Sequence, residues 1–167
     1  MIGRALSKFP IQLHAFEGNI NHPHVKFSAT EAQLDNVVPF FQGAFSTIAR
    51  NINRLRKRKG DVFGGKARIH LCLDEAAAEQ KLLYAMTNTV KDNLIERTNR
   101  SPFFSTYRHQ AHGKPLRYWY IDYDAYWAAG GNRKSKHRLK DYLRWVEWKT
   151  TPLPHHQKMT NLNGKRG

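Results

Sequence analysis

Two histidines one residue apart, in His22-Pro23-His24, and a tyrosine and an asparagine four apart, Tyr84 and Asn88, are the residues here best suited to act together. In an extended strand the side chains at i and i+2 project from one face, so His22 and His24 can offer two imidazole nitrogens to one divalent ion. On a helix, positions i and i+4 share a face, which sets the Tyr84 phenol beside the Asn88 amide and its metal-binding oxygen. Each pair also has an ordinary reading. Nine histidines make a chance His-x-His common, and a tyrosine on an apolar helical stripe is usually a core residue. His109, His112, His155 and His156 lie in loop-like or tail segments without a third convincing ligand, and they read as exposed histidines.

A second kind of chemistry is electrostatic. Arg54, Arg56, Lys57, Arg58 and Lys59 concentrate positive charge at the end of a predicted helix, with Lys66 and Arg68 just beyond the next loop. Such a run is either a solvated helix end favoured by the helix dipole or a phosphate-binding surface acting through counterion release. Tyr118, Trp119, Tyr120, Tyr123, Tyr126 and Trp127, flanked by Arg117 and Arg133, are suited to stacking on unpaired bases or to forming a second small core.

These residues need elements to position them. Ile11 to Phe16 and His24 to Ala29 are rich in β-forming residues and are separated by Glu17-Gly18-Asn19, which predicts a hairpin. Thr30 is a helix cap ahead of Leu34, Val37, Val38, Phe41, Ala44, Phe45, Ile48 and Ile52, a helical spacing that ends near Gly60 and starts near Pro39 if the proline interrupts it. After the turn-rich run Gly60 to Gly65, Ala67 to Leu73 alternates as a strand. Asp74 caps a second helix that carries Tyr84 and breaks at Thr87-Asn88-Thr89, with a shorter helical piece over Val90 to Arg97. Further on, the sequence predicts a strand over Leu116 to Tyr123, a helix over Ser135 to Lys149, and a mobile tail from Thr150.

Composition narrows the partners. With 28 Lys and Arg against 13 Asp and Glu, a net charge of +15 calls for a polyanion, and nucleic acid is the first candidate. No run approaches the roughly 20 apolar residues of a spanning helix, so no membrane partner is expected. The start lacks a signal-like apolar stretch of roughly 7–15 residues, which leaves the expectation of a cytoplasmic protein. Cys72, the only cysteine, excludes an internal disulfide and reads as a small core residue.

The motifs also fall in a familiar order. His14-Ala15-Phe16, four residues, then Asn21-His22-Pro23-His24 resembles the HAY…NHVH segment of REP-associated tyrosine transposases, within the HUH single-tyrosine transposases. Downstream, Ala49-Arg50-Asn51-Ile52-Asn53-Arg54 resembles the family's ARYFNRR. Gly60-Asp61-Val62-Phe63-Gly64-Gly65-Lys66 resembles its GHLFQGRF, and Tyr84-Ala85-Met86-Thr87-Asn88-Thr89-Val90 its YIELNPV. The resemblance spans Leu13 to Glu96. Pro23 stands where the family carries a bulky apolar residue, Lys26 where it continues apolar, and Thr89 in place of a proline. Only 13 residues precede His14, where the family has a strand and a helix.

The resemblance implies an α+β fold, with a ferredoxin-like antiparallel sheet, helices on one face and a C-terminal extension. Residues 1–100 would be a catalytic domain shortened at its N-terminus, 101–150 an aromatic and basic extension, and 151–167 a flexible tail. It further implies that His22, His24 and Asn88 bind Mg2+ or Mn2+ and that Tyr84 is the nucleophile. The expected activity is nicking and transfer of single-stranded or hairpin DNA through a 5′-phosphotyrosine, with Arg54, Arg56, Lys57, Arg58, Lys59, Lys66 and Arg68 on the DNA. The alternative is a non-catalytic nucleic-acid-binding remnant of a transposase, which keeps the basic surface without a competent metal site. Monomer and dimer are both open.

Overall fold

Local signals start most of the elements. The computed structural model describes residues 1–19, 22–65, 67–102, 104–132 and 136–157. In chain order they form α1 (Ile2–Lys8), β1 (Gln12–Glu17), β2 (His24–Ser28), α2 (Leu34–Leu55), α3 (Glu75–Lys91), α4 (Tyr107–His112), β3 (Leu116–Ile121), α5 (Tyr123–Ala128) and β4 (Leu143–Trp148). The chain is therefore α+β, as expected. The strands do not merge into one ferredoxin-like sheet: among the described residues β1 pairs with β2 and β3 with β4, giving two separate antiparallel pairs.

The hairpin forms where the β-rich residues predict it. A bulge between Leu13 and Ala15 shifts the register, so that Leu13 faces Phe27, Ala15 faces Lys26, Phe16 faces Val25 and Glu17 faces His24. Leu13, Phe16, Val25 and Phe27 join an apolar core with Phe40 and Ala44 of α2. Phe16 packs on Phe45, and Phe27 on Phe41. The other face of the hairpin lies against α3.

α2 begins before the proline rather than at it. The Thr30 N–H donates to the Gln33 side chain at 3.2 Å, and the tight turn Glu31–Gln33 runs directly into Leu34. Pro39 deprives the Asp35 carbonyl of its intrahelical donor, and Asp35 is exposed, so water can replace that bond. The helix stops at Leu55, before the positive φ of Gly60, a conformation that glycine adopts without strain.

Other expectations are corrected. Ala67 to Leu73 is irregular, and Ile69, Leu71 and Leu73 are exposed, because alternation without a partner edge does not make a strand. Cys72 is accordingly half-buried, with the Lys26 Nζ at 2.8 Å from its sulfur, rather than a core residue. α3 does not break at Thr87-Asn88-Thr89: Asn88 and Thr89 are buried, and tertiary packing outweighs weak helix propensity. It ends at Lys91, so the separate helical piece expected over Val90 to Arg97 does not form: Val90 and Lys91 belong to α3 and no helix covers 92–97. Of the predicted helix over Ser135 to Lys149, Ser135 lies outside the described residues, Leu139–Tyr142 forms a short 3-10 helix, and the rest is mainly β4, whose Trp145, Val146 and Trp148 suit a strand once β3 offers its edge.

The C-terminal third packs into the same core. Leu116 and Trp148 cluster with Ile2 and Ala5 of α1. Of the segment expected to be a mobile tail, residues 158–167 lie outside the described residues, and the part before them turns back on the hairpin: Thr151 donates its N–H to the Leu13 carbonyl at 2.7 Å, and Leu153 is buried. His14 fixes the same segment, its Nδ1 lying 2.8 Å from the Thr151 carbonyl and its Nε2 2.9 Å from the Ser28 hydroxyl.

α1 approaches the second sheet most closely at Gly3, where a Cβ would stand 2.4 Å from the Trp148 ring and 2.6 Å from the Tyr118 hydroxyl. Gly3→Ala should therefore destabilise the chain by about 1–3 kcal/mol through overpacking. Urea denaturation checks this, and an unchanged midpoint would show that α1 does not dock on β4 in solution.

Candidate active site

His24 opens β2 and is the last residue paired with β1. Pro23 thus lies just outside the ladder, where its missing N–H breaks no pairing. Asn21 of the same motif lies outside the described residues. His22 and His24 bring their Nε2 atoms to 3.2 Å, with ring centroids 4.7 Å apart. The Asn88 amide nitrogen reaches the same His24 Nε2 at 3.2 Å, although the two residues are 64 positions apart.

Asn88 is 3% exposed, and its Oδ1 is buried with no hydrogen-bond partner among the described residues. A buried acceptor without a donor is costly, and no hydrogen bond among the described residues holds the amide oxygen in its place away from His24. Rotating the amide by half a turn exchanges its oxygen and nitrogen within the same volume and presents the oxygen to His24. Donors spaced 3.2 Å apart match ligands held about 2.0–2.1 Å from one octahedral ion, which stand about 3 Å from each other. Two imidazole nitrogens and one amide oxygen therefore fit a divalent metal. Burial lowers the pKa of His24, and the neighbouring His22 lowers it further, against a smaller opposing effect from Asp92. The neutral imidazole favoured in this way is the form that binds metal.

Tyr84 stands one helical turn before Asn88 and meets His24 edge to face, with ring centroids 5.6 Å apart. At 42% exposure it is no core residue, and among the described residues its hydroxyl has no hydrogen-bond partner. The Lys91 ammonium lies 5.4 Å from the centre of the Tyr84 ring. Lys91 escaped the sequence reading, although its position seven residues after Tyr84 places it on the same helical face. The unbroken helix is what keeps Tyr84, Asn88 and Lys91 in line. Thr87 assists by donating its hydroxyl to the Leu83 carbonyl at 2.7 Å, so its polar group is satisfied within the helix.

A second residue, Glu17, became visible only through the register that sets it opposite His24. Its carboxyl is 6% exposed and accepts from the Thr106 N–H at 3.1 Å and the Thr106 hydroxyl at 3.0 Å. Burial outweighs these bonds and raises its pKa to about 7.

The other expected site residues lie elsewhere on the surface. Arg54, Arg56, Lys57, Arg58, Lys59 and Arg68 are exposed, and among the described residues none pairs with a carboxylate; Lys66 lies outside the described residues. The aromatic cluster divides. Tyr126 is buried, whereas Trp119 packs on Trp145 at 4.8 Å between ring centroids and both remain exposed. A cleft of about 490 Å³ is lined by Leu82, Leu83, Met86, Lys114, Lys149 and His156 among others. It includes none of the four residues of the centre.

No family model, curated protein or solved structure matches this chain. The geometry of the centre therefore carries the functional argument.

Glu17 gives that geometry a pH signature. Its folded pKa exceeds the unfolded 4.5, so folding takes up a proton, and its contribution is complete below pH 4.5 and lost as pH rises through 7. The loss is on the order of 3 kcal/mol. In metal-free buffer, Glu17→Gln should flatten the fall in urea-unfolding free energy between pH 5 and 7.5 relative to the parent (about that window for this shift). An identical pH slope in both proteins would contradict a buried, protonated Glu17.

Proposed function

We propose that this chain is a metal-dependent single-strand DNA nickase and strand transferase, with Tyr84 as nucleophile and His22, His24 and Asn88 as ligands of Mg2+ or Mn2+. The observation that supports this reading best is the convergence of His22, His24 and the Asn88 amide beside an exposed tyrosine. The order of motifs resembling the REP-associated tyrosine transposases agrees with it.

When bound, the ion would polarise the scissile phosphate and neutralise part of its charge. The protein's own residues do the rest. Tyr84 loses its proton and its oxygen attacks phosphorus, forming a 5′-phosphotyrosine while the 3′ oxygen leaves and takes up a proton. Lys91 supplies positive charge beside the ring, where the anionic phosphate would approach. His24 holds the ring edge to face. Because the new ester retains the phosphodiester's energy, a second 3′-hydroxyl can reverse the attack and join strands without ATP.

The substrate would be single-stranded or hairpin DNA, as at a repetitive palindrome. The exposed basic residues Arg54, Arg56, Lys57, Arg58, Lys59 and Arg68 are suited to its phosphates, and Lys66 follows in the same stretch of sequence. The exposed Trp119 and Trp145 offer faces on which unpaired bases can stack.

A second reading, a nucleic-acid-binding remnant without catalysis, is favoured by the two-stranded sheet. It supports the histidine strand on one side only among the described residues.

A covalent-adduct assay separates the two readings. Incubated with Mg2+ or Mn2+ and a labelled hairpin bearing a single-stranded flank, the parent should become covalently labelled. Tyr84→Phe should abolish the label while leaving DNA affinity and melting temperature nearly unchanged, since the hydroxyl has no hydrogen-bond partner among the described residues. Absence of an adduct with either metal on every hairpin tested would leave the binding remnant in its place.

A further inference from the structure

Away from the Tyr84 centre, a second group of metal-binding side chains converges where the sequence alone offered only two adjacent histidines. The Glu79 Oε1 lies 2.8 Å from the His155 Nε2 and 3.0 Å from the His156 Nε2, and the three donor atoms all lie within 4.8 Å of one another. Glu79 is 76 positions before His155, so only the fold supplies the third ligand.

Each ligand is held by its own anchor. Glu79 sits in the second turn of α3, which Asp74 caps by accepting from the Ala77 N–H at 2.7 Å. The histidines lie on a helical turn at 154–157, opened by Pro154 and closed by the Gln157 N–H on the Leu153 carbonyl at 3.1 Å. Buried Leu153 and the Thr151 to Leu13 bond fix that turn against the hairpin. Only 14% of the His155 side chain is exposed, so its imidazole has little freedom to leave.

We propose that Glu79, His155 and His156 form a zinc-class site that fastens the C-terminal segment to α3. Two imidazoles and one carboxylate are a donor set that zinc takes readily. Ligands bound to zinc at about 2.0–2.2 Å in a tetrahedron stand about 3.4 Å apart, so the observed 2.8 and 3.0 Å need open by only a few tenths of an ångström. Three protein ligands leave a fourth position for water. His156 also lines the cleft with Leu82 and Leu83, which gives an ion and its water a path from solvent.

The site is separate from the proposed nickase centre. Glu79 and Tyr84 are five residues apart on one helix, which turns their side chains by roughly 140° from each other. Glu79 and Leu83 share a face and look toward the cleft, and Tyr84 and Asn88 toward the hairpin. Zinc at the first site would therefore tie down the helix that carries the second without touching the reacting groups.

The test uses the full chain carrying His22→Ala and His24→Ala, so that the nickase centre contributes no ligands. Calorimetric titration with zinc chloride should show one saturable site per chain, and zinc should raise the melting temperature. Glu79→Gln and, separately, His156→Ala on that background should abolish both, while far-ultraviolet circular dichroism confirms an unchanged fold. Co2+ should give the intense visible absorption of tetrahedral coordination, lost in the same variants. No saturable zinc binding in the His22→Ala, His24→Ala protein overturns the proposal, as does binding that survives both Glu79→Gln and His156→Ala. Either result leaves the Tyr84 assignment untouched, since the adduct assay does not depend on these ligands.

Discussion

A two-stranded hairpin has two faces, and the one that carries Leu13, Phe16, Val25 and Phe27 cannot stay in water, while the other carries Ala15, Glu17 and His24. α2 covers one face through Phe40, Ala44 and the rings of Phe41 and Phe45, and α3 covers the other. Because residues alternate between faces, the pairing that sends Phe16 and Val25 toward α2 sends Glu17 and His24 the opposite way. His24 then meets Asn88 and Tyr84, and a one-residue slip of register would carry it to the other side. The bulge after Leu13 belongs to this arrangement, since it resets which residues face which helix.

The same covering explains the unusual polarity beneath α3. A buried amide with an unsatisfied oxygen and a buried carboxyl held near neutral pKa both disfavour folding on their own. Thr106 relieves Glu17 with two hydrogen bonds. Among the described residues nothing comparable relieves the Asn88 oxygen, and an amide turned toward a cation beside His24 would give that oxygen a partner. Such tolerated polar groups gather where function needs them, whereas the apolar side of the hairpin contains aromatic rings packed edge to face and stacked.

Elements whose signals are local could be read from the sequence. The Asp74 cap, the turn between the two β-rich runs and the apolar spacing from Leu34 to Ile52 each placed an element close to where it forms. Readings that depended on distant partners failed. Ala67 to Leu73 has strand alternation but no neighbouring edge, and Leu143 to Trp148 becomes a strand because β3 lies beside it. Thr87-Asn88-Thr89 looks like a break in isolation and is helical because Asn88 and Thr89 are buried. In the candidate site, the His22 and His24 pair and the Tyr84 to Asn88 spacing were visible locally. Their meeting was expected only from the family resemblance, and Glu17 opposite His24 and Glu79 beside His155 were not legible at all, since those contacts are set by register and tertiary packing.

The account rests on His22, His24 and Asn88 sharing one divalent ion, and manganese calorimetry addresses that directly. A protein carrying Glu79→Gln and His156→Ala, which lacks the second cluster, should bind one manganese ion per chain. Adding Asn88→Ala should remove this binding while the circular dichroism spectrum stays the same. A protein that shows no saturable manganese site, or one whose manganese affinity is unaffected by Asn88→Ala, would contradict the account.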